Sequence, residues 1–379
     1  MPVERAISRD WLRSQVRITW HLPAVLGCLA LGLLLAVNWN WLTSSRPAVC
    51  RLAGSHFEMG LMQGRAFRQE IGRLFADYII GGLVQTEGWQ LEDLIEVGRH
   101  YEAFIPSSYR EEMRGIAEGS GIPYDHILVM NTFPDAVLGA TPRACSAFAV
   151  RTTRGLLVAR NLDWTNYGVA HRYGIVQLLQ PRDGHRVLNI GWPGMVGVVT
   201  GMNDQGLVIT LNMAYAIDLD TKTTPLLIRL REVLERQTSI QEAVDSLTRQ
   251  PRTFAANVLI ASSNENNAVV LELSGKRHAI VEMRERIVVT TNFFQALDIR
   301  GGTGGDRSDI LTEVLRRTAD YTTLRDARGA LSKVCFRGSS LGMATVQSAV
   351  FEPRRLLAHV ATGKLPASSG RYYEIRLSP

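Results

Sequence analysis

The chain has 379 residues, more than one average domain and within reach of one large domain with an appendage. Hydrophobic residues make up 46% and charged residues 21%, which supports a sizeable core and excludes a disordered, collagen-like or disulfide-scaffold protein. The net charge of +6 comes from 42 Lys plus Arg against 36 Asp plus Glu, with no long basic run and no aromatic–basic interleaving, so nucleic acid is not an expected partner.

The first 45 residues read differently from the rest. Leu22 to Val37 carries no charge, and Trp20, Trp39 and Trp41 flank it as aromatic residues do at membrane interfaces. Trp20 to Leu42 is about 23 residues, enough to cross the hydrocarbon core. Arg5, Arg9, Arg13 and Arg17 precede the run against Glu4 and Asp10. The positive-inside bias puts that end in the cytosol and everything after it outside. A cleaved signal peptide is the competing reading, but no clear small-x-small site follows Val37. Gly27-Cys28 hints only weakly at a lipoprotein signal, because apolar residues follow it. Segment 1–45 is therefore expected to be a cytosolic tail and a single-pass membrane anchor.

After a short linker from Thr43 to Ala48, the pattern is helical from Ser55 to about Ile122. Phe57, Leu61, Phe67, Ile71, Leu74, Phe75 and Ile79 recur at roughly helical spacing. Further helical stretches cover Leu91 to Phe104 and Ser108 to Ala117, the latter closed by Gly119 and Gly121. After Arg143 the period changes to that of strands: Ser146–Val150, Leu156–Asn161, Gly174–Leu179, Val187–Gly191, Gly197–Thr200 and Leu207–Asn212. Gly155, Asp183-Gly184 and Asp204-Gln205-Gly206 supply turns. Leu226 to Thr248 reads as one amphipathic helix, followed by strands at Val258–Ala261, Val269–Leu273, His278–Glu282 and Ile287–Thr291. Ser308 to Val334 is largely helical, and Val346–Glu352, Arg355–Ala361 and Tyr372–Leu377 finish with strands. Helices first, then many short strands with two later helical blocks, indicate an α+β layered domain with antiparallel hairpins.

No Gly-rich phosphate loop follows a strand and no pair of histidines has metal spacing, so no cofactor or metal is expected. Of the four cysteines, Cys28 lies in the apolar run, and Cys50 and Cys335 could pair or simply be small buried residues. Cys145 heads a strand, and Arg160-Asn161-Leu162-Asp163 ends the next, with a turn near Gly155 between them. A hairpin would make Cys145 and that cluster neighbours. A guanidinium beside a thiol favours the thiolate, which is the nucleophile; a buried cysteine with an exposed ion pair is the plainer alternative.

The motifs around these residues carry a resemblance. Gly54-Ser55-His56-Phe57-Glu58-Met59-Gly60, Gln63-Gly64, Gly115-Ile116-Ala117-Glu118-Gly119 and Asn131 come first. Cys145-Ser146-Ala147-Phe148 with Ala159-Arg160-Asn161-Leu162-Asp163-Trp164 forms the centre. Trp192-Pro193-Gly194, Gly201-Met202-Asn203, Gly206-Leu207, Thr291-Asn292-Phe293, Arg307-Ser308, Thr345-Val346-Gln347-Ser348 and Phe351-Glu352-Pro353 complete the order. The chain resembles the peptidase family C45 or acyl-CoA:6-aminopenicillanic acid acyltransferase-like branch of the N-terminal nucleophile hydrolases. More distantly it is similar to choloylglycine hydrolases and acid-ceramidase-type amidases.

The resemblance implies a four-layer αββα sandwich after the anchor, with 46–144 as a helical alpha fragment and 145–379 as the catalytic beta fragment. It implies cleavage between Ala144 and Cys145, which turns Cys145 into an N-terminal nucleophile whose own α-amine, with an intrinsic pKa near 8, serves as base. Arg160 would orient the nucleophile and Asp163 would hold the new amine. Asn292 would donate to the oxyanion through its side chain and Asn203 through its backbone, and Arg307 would brace the site. Two departures stand out. Ala144 replaces the Gly of the fungal acyltransferase pattern, and the apolar anchor is not part of the family pattern. The expected activity is hydrolysis of a linear, non-peptide or N-acyl amide through a thioester. The partners implied are a small-molecule amide and the two fragments of one precursor. The alternatives are an acyltransferase using an amine acceptor, a conventional cysteine protease with a distant histidine, and an inactive membrane-tethered binding protein.

The charge pattern yields a first test. A reporter fused after Pro379 should read out on the extracytoplasmic side of the membrane; a cytosolic signal would overturn that topology and make acyl-CoA an available substrate.

Overall fold

The computed structural model describes residues 46–137, 144–338 and 342–377, and the expected anchor at 1–45 lies outside the described residues. Among the described residues no helix is long and apolar enough to cross a membrane.

The described part opens with a strand, β1 (Ala48–Gly54), where a linker merges into the helical region in the sequence pattern. Five α-helices follow: α1 (His56–Ala66), α2 (Arg68–Leu74), α3 (Leu91–Glu102), α4 (Ser107–Ser120) and α5 (Tyr124–Val137). Phe75–Thr86, between α2 and α3, winds as a π-helix. Ser55 and Glu58 start α1 with a reciprocal capping box, and Gly121 in the left-handed region ends α4. Residues 124–137 show no amphipathic signature because α5 is buried on nearly all sides, with Pro134 inside it.

The strands then build two sheets. Sheet I contains β1, β4 (Ile175–Pro181), β5 (Val187–Gly191), β6 (Thr200–Asn203), β7 (Leu207–Met213), β8 (Ala256–Ser262), β9 (Asn267–Leu273) and β10 (His278–Glu282), in that spatial order. Sheet II runs β11 (Ile287–Thr290), β2 (Ser146–Thr152), β3 (Gly155–Thr165), β14 (Met343–Glu352), β15 (Leu357–Ala361) and β16 (Tyr373–Arg376). Pairing is antiparallel except for β1 on β4. A small ribbon joins β12 (Asn292–Phe293) to β13 (Gly302–Thr303). The expected strand Ile287–Thr291 thus breaks at Thr291, and the expected strand at 197–200 begins only at Thr200.

Strand alternation fixes the layers. Ala147, Ala149 and Val158 of sheet II meet Val176, Leu188, Val208 and Leu259 of sheet I in one apolar cluster. The opposite face of sheet I, with Val187, Ile209, Val258 and Leu271, packs against the N-terminal helices and against α6 (Leu226–Arg236) and α7 (Ile240–Thr248). The opposite face of sheet II, with Phe148, Val150 and Leu157, packs against α8 (Gly305–Arg316) and α9 (Leu324–Lys333). The order is helices, sheet, sheet, helices. Residues 226–248 form two helices rather than one, because Ser239 and Glu242 make a capping box that starts a new helix. Residues 46–137 do not stand apart: β1 extends sheet I, and the helices share the largest cluster with both sheets.

Glycines bring α1 and α4 into backbone contact. A Cβ on Gly60 would overlap the Glu112 carbonyl, and one on Gly115 the Phe57 carbonyl; Gly64 and Gly119 face Ile116 and Leu61 in the same way. Gly115→Val should therefore lower the melting temperature by several degrees, about 1–3 kcal/mol of overpacking or more. Gly329→Ala, in α9 with open space around it, should raise stability by up to about 1 kcal/mol. Thermal melts of the two variants check the contrast.

Candidate active site

β2 begins immediately after Cys145, and the hairpin pairs Ser146 with Asn161. Cys145 is thereby set beside the far end of β3, and its buried Sγ lies 3.6 Å from the Asp163 carbonyl oxygen and 3.8 Å from Arg160 Nη2. Its peptide group is held at both ends. The N–H donates to Asn292 Oδ1 at 2.6 Å, and the carbonyl accepts from Arg307 Nη1 at 2.6 Å. Arg307 also donates to Ser146 Oγ at 2.9 Å and to Asn292 Oδ1 at 3.1 Å. It stands in the first turn of α8, whose cap Gly304 has φ 94° and no room for a Cβ beside Arg307.

Arg160 points between the sheets. Its guanidinium donates to the carbonyls of Val199 at 3.1 Å and Leu211 at 2.5 Å, and to Thr200 Oγ1. Burial pushes its pKa below the ordinary arginine value, opposed by Cys145 and Asp163. Asp163 is fully buried. Its Oδ1 accepts from the Thr345 hydroxyl, which itself accepts the Phe336 N–H at 2.8 Å. Its Oδ2 lacks a hydrogen-bond partner among the described residues, with Arg307 Nη1 at 3.9 Å. Burial raises the Asp163 pKa to about 7, against the lowering effects of Thr345, Arg307 and Arg160.

Five of the expected residues, Cys145, Arg160, Asp163, Asn292 and Arg307, therefore meet in one cluster, with Ala144 buried just before it. Asn203 does not join them. It ends β6, roughly 10 Å along the strand from Thr200. Its Oδ1 accepts from the Gln205 and Leu207 N–H groups, and its Nδ2 caps the Leu234 and Gln237 carbonyls. That is turn chemistry, and it spends the whole side chain. Asn292 also differs in detail from expectation: its Nδ2 donates to the Met213 carbonyl at 2.7 Å while its Oδ1 holds the Cys145 nitrogen.

Asn212 went unrecognised in the sequence. It ends the inward-facing series Val208, Thr210, Asn212 on β7, donates to the Thr290 carbonyl at 3.0 Å and keeps a buried, unpartnered Oδ1. A polar residue closing such a series was the available signal. Beside the cluster lies an apolar cavity of about 30 Å³, bordered by Tyr78, Phe133, Trp164, Trp192, Met195 and Val199. Trp164 follows Asp163, and Val199 supplies a carbonyl to Arg160. Cys50 and Cys335 are free thiols.

The Asp163 environment gives a direct check. Its folded pKa lies above the unfolded value, so between these values the folded chain holds a proton that the unfolded chain has lost. This contribution to stability is present at acid pH and declines as pH rises toward about 7. Carboxyl carbon NMR should show two buried carboxyls titrating near 7, Asp163 and Asp135, with Asp163→Asn removing the first. Thr345→Val, which removes a hydrogen bond to the Asp163 carboxylate, should move the Asp163 titration upward and leave that of Asp135 in place; a downward move would exclude the assignment.

The chain is similar to several known proteins. Residues 150–326 match the family described as acyl-coenzyme A:6-aminopenicillanic acid acyl-transferase. Protein dcd1B of Dictyostelium discoideum is 29% identical over 256 residues, 61% of this chain and 51% of that protein. The 40 kDa form of acyl-coenzyme A:6-aminopenicillanic-acid-acyltransferase of Emericella nidulans is 28% identical over 229 residues, 58% of this chain and 62% of its own. The N-acylethanolamine-hydrolyzing acid amidase of Caenorhabditis elegans is 26% identical over 285 residues, 65% and 77% of the two chains. The chain spans about half the length of the first curated relatives it matches. Over residues 150–326, a little under half of its length, the chain is similar to the acyl-coenzyme A:6-aminopenicillanic acid acyl-transferase family.

Proposed function

We propose that this chain is a self-processing N-terminal cysteine amidohydrolase that cleaves a linear amide with an apolar acyl group through a thioester. The carrying observation is the grip on Cys145: its nitrogen on Asn292, its carbonyl on Arg307 and its thiol beside the Arg160 guanidinium. The thiol's partners in this site are a guanidinium and a backbone carbonyl, an arrangement suited to a nucleophile that supplies its own amine as base.

In processing, Sγ attacks the Ala144 carbonyl carbon, the C–N bond to Cys145 breaks, and a thioester forms. That break frees the α-amine of Cys145, and water then attacks the thioester, releasing the Ala144 carboxylate and the thiol. The departing nitrogen must gain a proton: Asp163, neutral up to about pH 7, gives up its own and takes the thiol proton in exchange. In turnover the α-amine takes the thiol proton, Sγ attacks the substrate amide carbon, and the proton passes to the leaving amine. Water resolves the acyl-enzyme. Asn292 keeps the amine oriented through Oδ1, and its Nδ2 is the proposed oxyanion donor once the Met213 carbonyl gives way to substrate.

The apolar cavity supports an apolar acyl group. At about 30 Å³ it has roughly the volume of one water in the liquid, so its walls must part for a chain to enter. The proposed position outside the cytosol, where acyl-CoA is not normally available, favours water over an amine as acceptor. That placement rests on the arginines before the anchor segment.

Intact mass and N-terminal sequencing test the reading. Active protein should contain a 235-residue fragment beginning at Cys145 (379 minus 144), still bound to its partner fragment. Cys145→Ala should remain one chain. Processing should slow as pH rises through about 7, and Asp163→Asn should abolish that dependence. Active wild-type enzyme made of a single uncut chain would sink the mechanism.

A further inference from the structure

Asn292 lies two residues beyond the end of β11, in a segment that has left sheet II. The groups holding that segment come from the other sheet. Asn212 on β7, Asn257 on β8 and Glu272 on β9 are direct cross-strand partners, Asn212 opposite Asn257 and Asn257 opposite Glu272. Alternation puts all three on the face of sheet I that looks toward sheet II, and all three are buried.

Their hydrogen bonds converge on residues 290–297. Asn257 Nδ2 donates to the Thr291 carbonyl at 3.1 Å and the Phe293 carbonyl at 2.7 Å, gripping the backbone on both sides of Asn292. Glu272 accepts the N–H groups of Ala296 at 2.9 Å and Leu297 at 2.8 Å on Oε2, and that of Gln295 on Oε1. Asn212 holds Thr290 from the near side. A buried carboxylate and a buried amide cost more than apolar residues of the same volume if filling space is their role. Here the bonds recorded for Asn257 and Glu272 side chains go to the segment that carries Asn292.

We propose that Asn257 and Glu272 are positioning residues that aim the Asn292 amide at the Cys145 nitrogen and at the developing oxyanion. This rests on the N-terminal nucleophile reading above. Their bonds restrain the backbone at Thr291, Phe293 and Gln295–Leu297, leaving Asn292 free to place Oδ1 and Nδ2 with little adjustment during reaction. Misplacement by about 1 Å is enough to cost on the order of 10²-fold in rate.

The experiment compares full-length wild type with Glu272→Ala, Glu272→Gln, Asn257→Ala and, as a control elsewhere in sheet I, Asn189→Ala. Asn189 is buried but bonds to Gln177 and the Gly197 carbonyl. Three quantities are read: the rate of cleavage at Ala144–Cys145, kcat and KM on lauroyl-7-amino-4-methylcoumarin, and the melting temperature. Glu272→Ala and Asn257→Ala should lose about 10- to 100-fold in processing rate and kcat with KM changed less than about twofold. Glu272→Gln, which keeps one acceptor oxygen, should recover part of that loss. Asn189→Ala should melt lower but keep kcat within about twofold of wild type.

A kcat that simply follows melting temperature across all four variants overturns the proposal, as do wild-type rates in both Ala variants. Should Glu272→Ala fail to fold, Glu272→Gln and Asn257→Ala decide by the same criteria. If wild type exposes Cys145 and hydrolyses the probe while the variants are unaffected, only the positioning role falls. If wild type does neither, the nucleophile reading falls and the positioning role with it.

Discussion

A guanidinium buried between two sheets is the constraint on which the site depends. Removed from water, Arg160 needs acceptors, and it takes them from Val199 just before β6 and from Thr200 and Leu211 of sheet I while standing on β3 of sheet II. An unmet cation there would cost several kcal/mol, so the register of the two sheets is tied to those three partners. The same charge then faces the Cys145 thiol. One side chain thus locks the sandwich and sets the electrostatics around the thiol.

The helices reach the site through that lock. Close contact of α1 and α4 along their glycines fixes the helical layer, from which Gln63 accepts the Gly194 N–H at 2.6 Å. Asn131 on α5 donates to the Gly194 carbonyl and accepts the Val196 N–H, both at 2.8 Å. The Trp192–Gly197 loop held in this way leads directly into Val199 and Thr200. Packing in the N-terminal part is therefore felt at Arg160 through this hydrogen-bonded loop.

Much of this was legible in the chain because it depends on local pattern. Strand alternation and the turn at Gly155 bring Cys145 to Arg160 and Asp163, and the hairpin realises that pairing residue by residue. The glycine, Gln63 and Asn131 motifs carried the family resemblance, but their physical reasons, backbone contact and loop anchoring, appear only in three dimensions. Asn203 and Asn212 show where pattern fails. Both are asparagines at strand ends, and only the fold tells which one faces the second sheet and which one closes a turn. Helix α5 was missed because burial on all sides erases periodicity, and the split of residues 226–248 was missed although Ser239 and Glu242 announce it. Glu272 and Asn257 left no signature, since their partners lie about twenty to forty residues away.

The apolar cavity has one wall on each side of Cys145 in the chain. Tyr78 and Phe133 precede Cys145, whereas Trp164, Trp192 and Met195 follow it. The Trp164 indole donates to the Tyr78 hydroxyl at 2.6 Å across that divide. Under the proposed processing, selectivity for the acyl group would be a joint property of two polypeptides born as one. On that proposal, changing the preference by exchanging either half between relatives would require its counterpart to change with it, and encoding both halves in a single reading frame would keep matched walls together through every generation.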